Sequence, residues 1–463
     1  MALLESQDMD GHRLGTRWTH ALALLLSLGL SVRAPLRAEE AAEAAEAEPA
    51  QPAEERRAVP DYDGRPEPTT FDDVALWIPR VVFFPVYLVS DFVVRRPLGW
   101  VLTTVEHDLT GGSGGSGGGL PIYVVPTFNY ERGMQSTVGI HVWSDRFLAE
   151  DNEVRARASF WGFGTVSFAI LDRLQLGPLQ LSAGVGWARR PDSVFYGIGP
   201  ESRDADRSRF HADRFDATLG AALALAGPLT IKLQTGLRDV SFEDGACCDD
   251  PSLAAQIAAG VFPAPHGFDR GVRAFVQRLE LAVDSRRPGA TPRIGARFAA
   301  EVEHASDLRS SPDDWLRYGG TLEGFVDLTG RARVLDLSVA ARFVRPLSGA
   351  VPFTELVALG GADMAGFLEG RLLGDSAITA TLRYQWPVWV WLRGSLTVEV
   401  GNVFGRDLEG LEAERLRMSF SAGLRSFGRD AGLQALVGVG TEPFDEGTGI
   451  STVRVAIGGF SDW

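Results

Sequence analysis

From Pro121 onward, side chains alternate between apolar and polar with a period of two, and this pattern constrains the fold more than any other feature. Ile378, Ala380, Leu382, Tyr384 and Trp386 share one face, while Thr379, Thr381, Arg383 and Gln385 share the other. A tight turn is read at Trp386-Pro387-Val388. Beyond it, Val390, Leu392, Leu396, Val398 and Val400 alternate with Trp391, Arg393, Ser395, Thr397 and Glu399. Charge sorts to one side throughout. Ile294, Ala296, Phe298, Ala300 and Val302 oppose Arg293, Arg297, Glu301 and Glu303, and Ile231, Leu233 and Leu237 oppose Lys232, Gln234 and Arg238. A charge facing lipid at the bilayer midplane costs about 2–4 kcal/mol, so the sorting predicts strands with one face in hydrocarbon and one in a polar lumen.

Such runs are read near 121–131, 134–146, 151–162, 163–174, 178–189, 208–223, 228–239, 272–285, 291–305, 313–327, 332–345, 376–388, 391–404, 414–424, 430–440 and 449–461. About sixteen strands is an even number, as bacterial outer-membrane barrels require. The fold class expected is therefore all-β, a transmembrane antiparallel β-barrel. Connections after even strands are short turns, among them 176–178, 226–228, 287–289, 329–331 and 427–429. Those after odd strands include the long ones, at 190–207, 240–271, 346–375 and 402–413. Short periplasmic turns and long outer loops would place both termini in the periplasm of the cell outer membrane.

The remaining chain divides by composition. Residues 1–38 read as a secretory signal with an apolar stretch Ala21–Leu30, and cleavage is expected after Ala38. Residues 39–70 are Ala, Glu and Pro with little to bury, a disordered tether. Residues 71–108 are apolar but interrupted by Pro79, Pro85 and Pro97 and charged at Arg80, Asp91, Arg95 and Arg96. They read as short amphipathic helices, lying in the membrane interface or against the periplasmic mouth and able to engage a partner protein, or serving only as a stabilising cap. Residues 109–120 form a Gly/Ser linker and 121–463 the barrel. A net charge of -15 and pI near 5.0 argue against nucleic-acid partners.

Two motifs carry a family resemblance. The first is Gly360-Gly361, the tip Met364-Ala365-Gly366-Phe367, then Glu369-Gly370-Arg371 and a strand ending Tyr384-Gln385-Trp386-Pro387; the second is Tyr196-Gly197-Ile198-Gly199-Pro200-Glu201-Ser202. Together they resemble the barrel of the bacterial surface antigen family, the superfamily of outer-membrane protein insertases and translocators, in a short form without periplasmic POTRA repeats. The resemblance implies that the Gly-Gly loop folds back into the lumen as plug and strut. It also implies that the loop tip meets an acid at the position of Glu399 in Val398-Glu399-Val400-Gly401-Asn402. The family tip reads Arg-Gly-Phe or Arg-Gly-Tyr, whereas this one has no arginine, so Arg371 and Arg393 are candidates to take its place. The family's activity would be assisting a polypeptide or lipid to enter or cross the outer membrane; the alternative is a passive plugged pore or anchor. The closing run, with Val455, Ile457 and the terminal Trp463, is similar to the signal read by the outer-membrane assembly machine. Outer-membrane lipid and lipopolysaccharide are the other expected partners.

No enzyme is expected. The histidines, among them His141, His211, His266 and His304, show no ligand spacing, and there is no Gly-x-Ser-x-Gly elbow. Tyr196-Gly197-Ile198-Gly199 precedes no helix and does not form a phosphate loop. Asp151, Asp213, Glu301 and Glu303 read as a solvated lumen. No metal and no cofactor is expected. The adjacent Cys247 and Cys248 read as an incidental pair in a surface loop, with a vicinal disulfide as the alternative.

Overall fold

The alternating runs close into one cylinder. The computed structural model describes residues 122–161, 164–225, 227–245, 247–286, 294–309, 313–389, 392–426 and 432–460. The signal, tether, amphipathic segment and linker expected over 1–120 lie outside the described residues, as do the turns read at 287–289 and 427–429, and Trp463. In chain order the strands are β1 (Tyr123–Glu131), β2 (Thr137–Ser144), β3 (Asn152–Trp161), β4 (Thr165–Leu176), β5 (Leu179–Phe195), β6 (Ser208–Ala224), β7 (Leu229–Asp244), β8 (Val272–Asp284) and β9 (Gly295–Asp307). They continue as β10 (Asp314–Asp327), β11 (Val334–Ser348), β12 (Val357–Leu359), β13 (Leu372–Gly374), β14 (Ser376–Trp389), β15 (Leu392–Phe404), β16 (Arg417–Ser426), β17 (Gly432–Thr441) and β18 (Ile450–Phe460). Sixteen of them form a closed antiparallel ring in which β11 pairs with β14 and β18 returns to β1. The short strands β12 and β13 form a separate hairpin inside the long 349–375 connection.

Facing follows the sequence. Leu382 and Leu396, register partners of Leu337 and Tyr384, are 45% and 50% exposed on the outer wall. The intervening charged residues pair across neighbouring strands on the inner face. Lys232 bridges Glu280 at 3.0 Å, Arg297 bridges Glu323 at 3.4 Å, Arg317 bridges Glu303 at 3.2 Å and Arg278 pairs with Glu301. Asp213 likewise holds Arg189 at 2.8 Å. Asp213, Glu301 and Glu303, read as lumen groups, thus each have a cationic neighbour, which limits the cost of placing charge inside the wall, whereas Asp151 lies exposed in the connection before β3.

Three readings need correction. The strand β14 runs through Trp386-Pro387-Val388 to Trp389, with a register shift between Pro387 and Trp389, so these three residues are strand and not the turn. Proline lacks the ladder N–H and is tolerated where the strand bulges, so it does not end the strand here. Strands β5 and β7 extend several residues beyond the alternation read for them, to Phe195 and Asp244. Their ends turn apolar side chains inward onto a packed interior, which breaks the lipid-facing pattern. Cys247 and Cys248 are joined by a disulfide and are not an incidental thiol pair.

The wall is uneven. Strands β5, β6 and β7 have 17, 17 and 16 residues, whereas β1, β2, β16 and β17 have 9, 8, 10 and 10. At the end bearing the long connections, the interior is an apolar core. Phe353 sits at its centre, with ring centroids 5.0 Å from Phe242, 5.3 Å from Phe210 and 5.7 Å from Phe195. The helix α1 (Leu253–Ala258) adds the fully buried Leu253, and its cap Ser252 accepts the Ala255 N–H at 3.2 Å.

The sorting of faces sets a measurable asymmetry. In lipid vesicles, Leu382→Arg is expected to destabilise the barrel by about 2–4 kcal/mol, and Thr381→Gln on the inner face by less than about 1 kcal/mol. Denaturant unfolding followed by tryptophan fluorescence reads both, and equal costs would contradict the facing.

Candidate functional site

The 349–375 connection enters the cylinder and is fixed at both ends. At its base, the buried Glu355 accepts Arg238 from β7 at 2.6 Å and Arg317 from β10 at 3.4 Å; Glu303 of β9 completes the cluster. Further along, Arg342 of β11 holds Asp363 at 2.6 Å. The loop then reverses at Gly360, whose φ of +114° suits glycine and where a Cβ would lie 1.9 Å from the Leu368 carbonyl. The Gly360 N–H donates to the Asp363 carbonyl and the Gly361 N–H to that of Phe367, making a compact tip.

The tip docks on the opposite wall. The N–H groups of Met364 and Ala365 donate to the two Glu399 carboxylate oxygens at 3.0 and 2.5 Å. The Gly366 N–H donates to Ser419 Oγ at 2.8 Å, and that hydroxyl donates to Glu399 at 2.8 Å. Glu399, Ser419, Met364 and Phe367 are all at most 1% exposed. The carboxylate is thus satisfied by three short donors, the arrangement that makes a buried charge tolerable. Phe367 lies flat on Gly440 of β17, where any Cβ would meet the ring at 2.4 Å. On β18, Thr452 donates to the Gly366 carbonyl at 2.9 Å, and Arg454 donates to the carbonyls of Gly361 and Ala365 at 2.9 and 3.2 Å.

Of the residues singled out from sequence, Met364, Ala365, Gly366 and Phe367 come together with Glu399. Arg371 and Arg393 do not join them as substitutes for an arginine. The Arg371 guanidinium bonds the Ser202 hydroxyl and carbonyl at 2.7 and 2.9 Å and lies 4.3 Å over the Tyr196 ring. Burial, with Arg417 alongside, pulls its pKa down to about 10, so it stays charged at neutral pH. Arg393 bonds Gln385 at 2.9 Å at the short-turn end of the wall. The role expected of an arginine at the tip is filled by main-chain donors, which carry no sequence signature.

The upstream motif meets the loop as well. The Gly199 N–H donates to Leu373 of β13 at 2.8 Å, next to Tyr196, Gly197 and Ile198. Arg417 of β16 reaches the carbonyls of Pro200 and Ser202 at 3.1 and 2.9 Å, and Asn402 reaches that of Pro200 at 3.3 Å. Both motifs therefore meet in one assembly with β15 and β16, in which Tyr196 and Ser202 are buried and Ile198 is exposed. Ser419, Arg417, Glu355 and Arg454 escape a sequence reading because ordinary lumen-facing polar positions look the same. Val455 and Ile457 lie on the outer face of β18, on alternate positions from Arg454. Among the described residues no group of three or more His, Cys, Asp or Glu could hold a metal ion.

Removing the seat should release the loop. Glu399→Ala leaves two N–H groups and a hydroxyl without their acceptor and is expected to cost about 3 kcal/mol, with Glu399→Gln costing less. Limited proteolysis within 360–371 together with unfolding midpoints checks this, and unchanged protection in the alanine variant would contradict it.

No protein-family model and no curated protein matches the chain. Among solved structures, it is similar to BamA from Haemophilus ducreyi lacking POTRA domains 1–3, with 13% identity, a TM-score of 0.51 and coverage of 74% of this chain and 71% of that one. CdiB from Acinetobacter baumannii (13% identity, TM-score 0.48) and CdiB from Escherichia coli (12%, 0.48) also align, over 73% and 74% of this chain and 60% and 64% of theirs. With its sixteen-stranded ring, the chain shares the barrel fold of that BamA structure.

Proposed function

We propose that this protein resides in the cell outer membrane, termini on the periplasmic side, and assists a polypeptide or lipid to insert or cross by transient opening between β1 and β18. The inward loop serves as plug and strut in that reading. The observation that carries it is the weakness of the closing seam. Among the described residues, β1 and β18 share three register pairs, Asn129 with Gly458, Tyr130 with Ile457 and Glu131 with Ala456, extended by the Arg132 N–H to the Val455 carbonyl. Every other neighbouring pair in the ring shares at least seven. At a net gain of about 1 kcal/mol per hydrogen bond, this seam separates at several kcal/mol less cost than its neighbours.

One further feature supports the reading. The short strands cluster at the seam. With a rise of about 3.4 Å per residue and a tilt near 40°, eight residues of β2 span roughly 20 Å of the bilayer normal. That is less than a hydrocarbon core of about 30 Å, so lipid beside the seam would have to thin.

The passive plugged barrel is the second reading, favoured by the buried loop tip and the Phe353 core inside the lumen. A seam lock separates them. Tyr130→Cys with Ile457→Cys, in a chain carrying Cys247→Ser and Cys248→Ser, joins register partners across the seam. Insertion of an unfolded barrel protein into vesicles holding the locked variant is expected to fall to the rate of empty vesicles and to return on reduction. Equal rates locked and reduced, both above empty vesicles, would rule out lateral opening; no stimulation in either state would leave the passive reading.

A further inference from the structure

We infer that Arg454 is the positioning residue through which the seated loop holds the β1–β18 seam shut, so that loop seating and seam closure are one coupled event. The inference deepens the lateral-opening reading and rests on it for its purpose, though not for its physics. Arg454 lies on β18 facing inward and is mostly buried. Its Nε donates to Glu131, the last residue of β1, at 2.5 Å. One of its terminal nitrogens donates to the carbonyls of Gly361 and Ala365, which lie at the turn and the tip of the loop, at 2.9 and 3.2 Å. One planar guanidinium thereby touches three bodies: its own strand, the strand across the seam, and the loop.

The geometry makes the link selective. Thr452 also binds the loop from β18, through the Gly366 carbonyl, but its hydroxyl donates there and not to β1. Glu399 and Ser419 hold the tip from β15 and β16, well inside the continuous wall. Among the described residues, Arg454 is the one side chain with hydrogen bonds to both β1 and the inward loop. Glu131 also feels the charge of Arg190, whose guanidinium is engaged by both oxygens of Asp192, so Glu131 is not left without a cation when Arg454 withdraws. Arginine suits this position because its rigid fork presents donors in several directions at once, whereas a lysine offers a single point charge. With the loop seated, two carbonyls fix the fork so that Nε points at Glu131. With the loop withdrawn, the side chain regains its rotamers and the Glu131 bond must be formed against that entropy. The seam, with three pairs of its own, is where such a difference is felt.

The test reads seam closure without any client, so its outcome is independent of whether the protein inserts anything. In the Tyr130→Cys/Ile457→Cys chain lacking Cys247 and Cys248, brief mild oxidation in vesicles gives the cross-linked fraction, a measure of the closed-to-open ratio. Arg454→Gln is expected to lower that ratio by about tenfold, as loss of a charge-assisted bond would. Unseating the tip by Glu399→Gln is expected to lower it in the Arg454 chain and to have no further effect in the Arg454→Gln chain. Arg454→Lys is expected to keep the Glu131 pair but to raise protease sensitivity of 360–371. If Glu399→Gln lowers the ratio equally in both backgrounds, or Arg454→Gln leaves it unchanged, the coupling role is wrong. Glu131→Gln cuts the same link from the β1 side and leaves all loop contacts in place. It provides the second variant should Arg454→Gln not assemble, and an unchanged ratio there overturns the inference equally.

Discussion

A β-strand in hydrocarbon cannot leave its N–H and C=O groups facing lipid, and the whole design of this chain follows from that requirement. Sixteen strands satisfy it by returning on themselves, each bonded to two neighbours, with apolar side chains outward and ion pairs inward. The requirement is met unequally around the ring. Away from the seam, β5, β6 and β7 are tall and paired along nearly their full length, while among the described residues β1 and β18 share three register pairs. The barrel is rigid where it is tall and weakest where first and last strands join.

The inward loop ties these two sides together. Its base is clamped by Arg238 of β7 and Arg317 of β10, and its tip reaches Glu399 and Ser419 on β15 and β16, then Thr452 and Arg454 on β18. A buried carboxylate normally invites a cation, and the resemblance to the surface antigen family implied an arginine there. The chain uses two main-chain N–H groups and a serine hydroxyl, freeing Arg371 to brace the Tyr196 segment. The contact is hydrogen-bonded, and its geometry is set by the backbone turn beginning at Gly360.

Much of the cylinder was legible because lipid imposes a period of two that few other environments demand, and the sixteen runs fall on the sixteen ring strands. The alternation misled where the environment changed. At β5 and β7 the strand ends leave lipid and turn inward on Phe353, so their last residues read as loop. At Pro387 a residue that usually breaks strands sits in a bulge. The motif residues of the tip were visible, as was Glu399, because family wording marked them. What the wording could not convey was the partner chemistry: Ser419 and Arg417 look like any lumen-facing polar residue, and main-chain donors leave no trace in side-chain identity. Nothing at Arg454 set it apart from other inward arginines until the register placed Glu131 opposite.

The central claim is that the ring is held least firmly where β1 meets β18. Amide hydrogen exchange of the full chain in lipid nanodiscs measures this directly, strand by strand. The account predicts that the seam-facing amides of Phe128, Tyr130 and Arg132 exchange orders of magnitude faster than those of mid-wall residues in β7 to β10. Equal protection of β1 and β8 would contradict it.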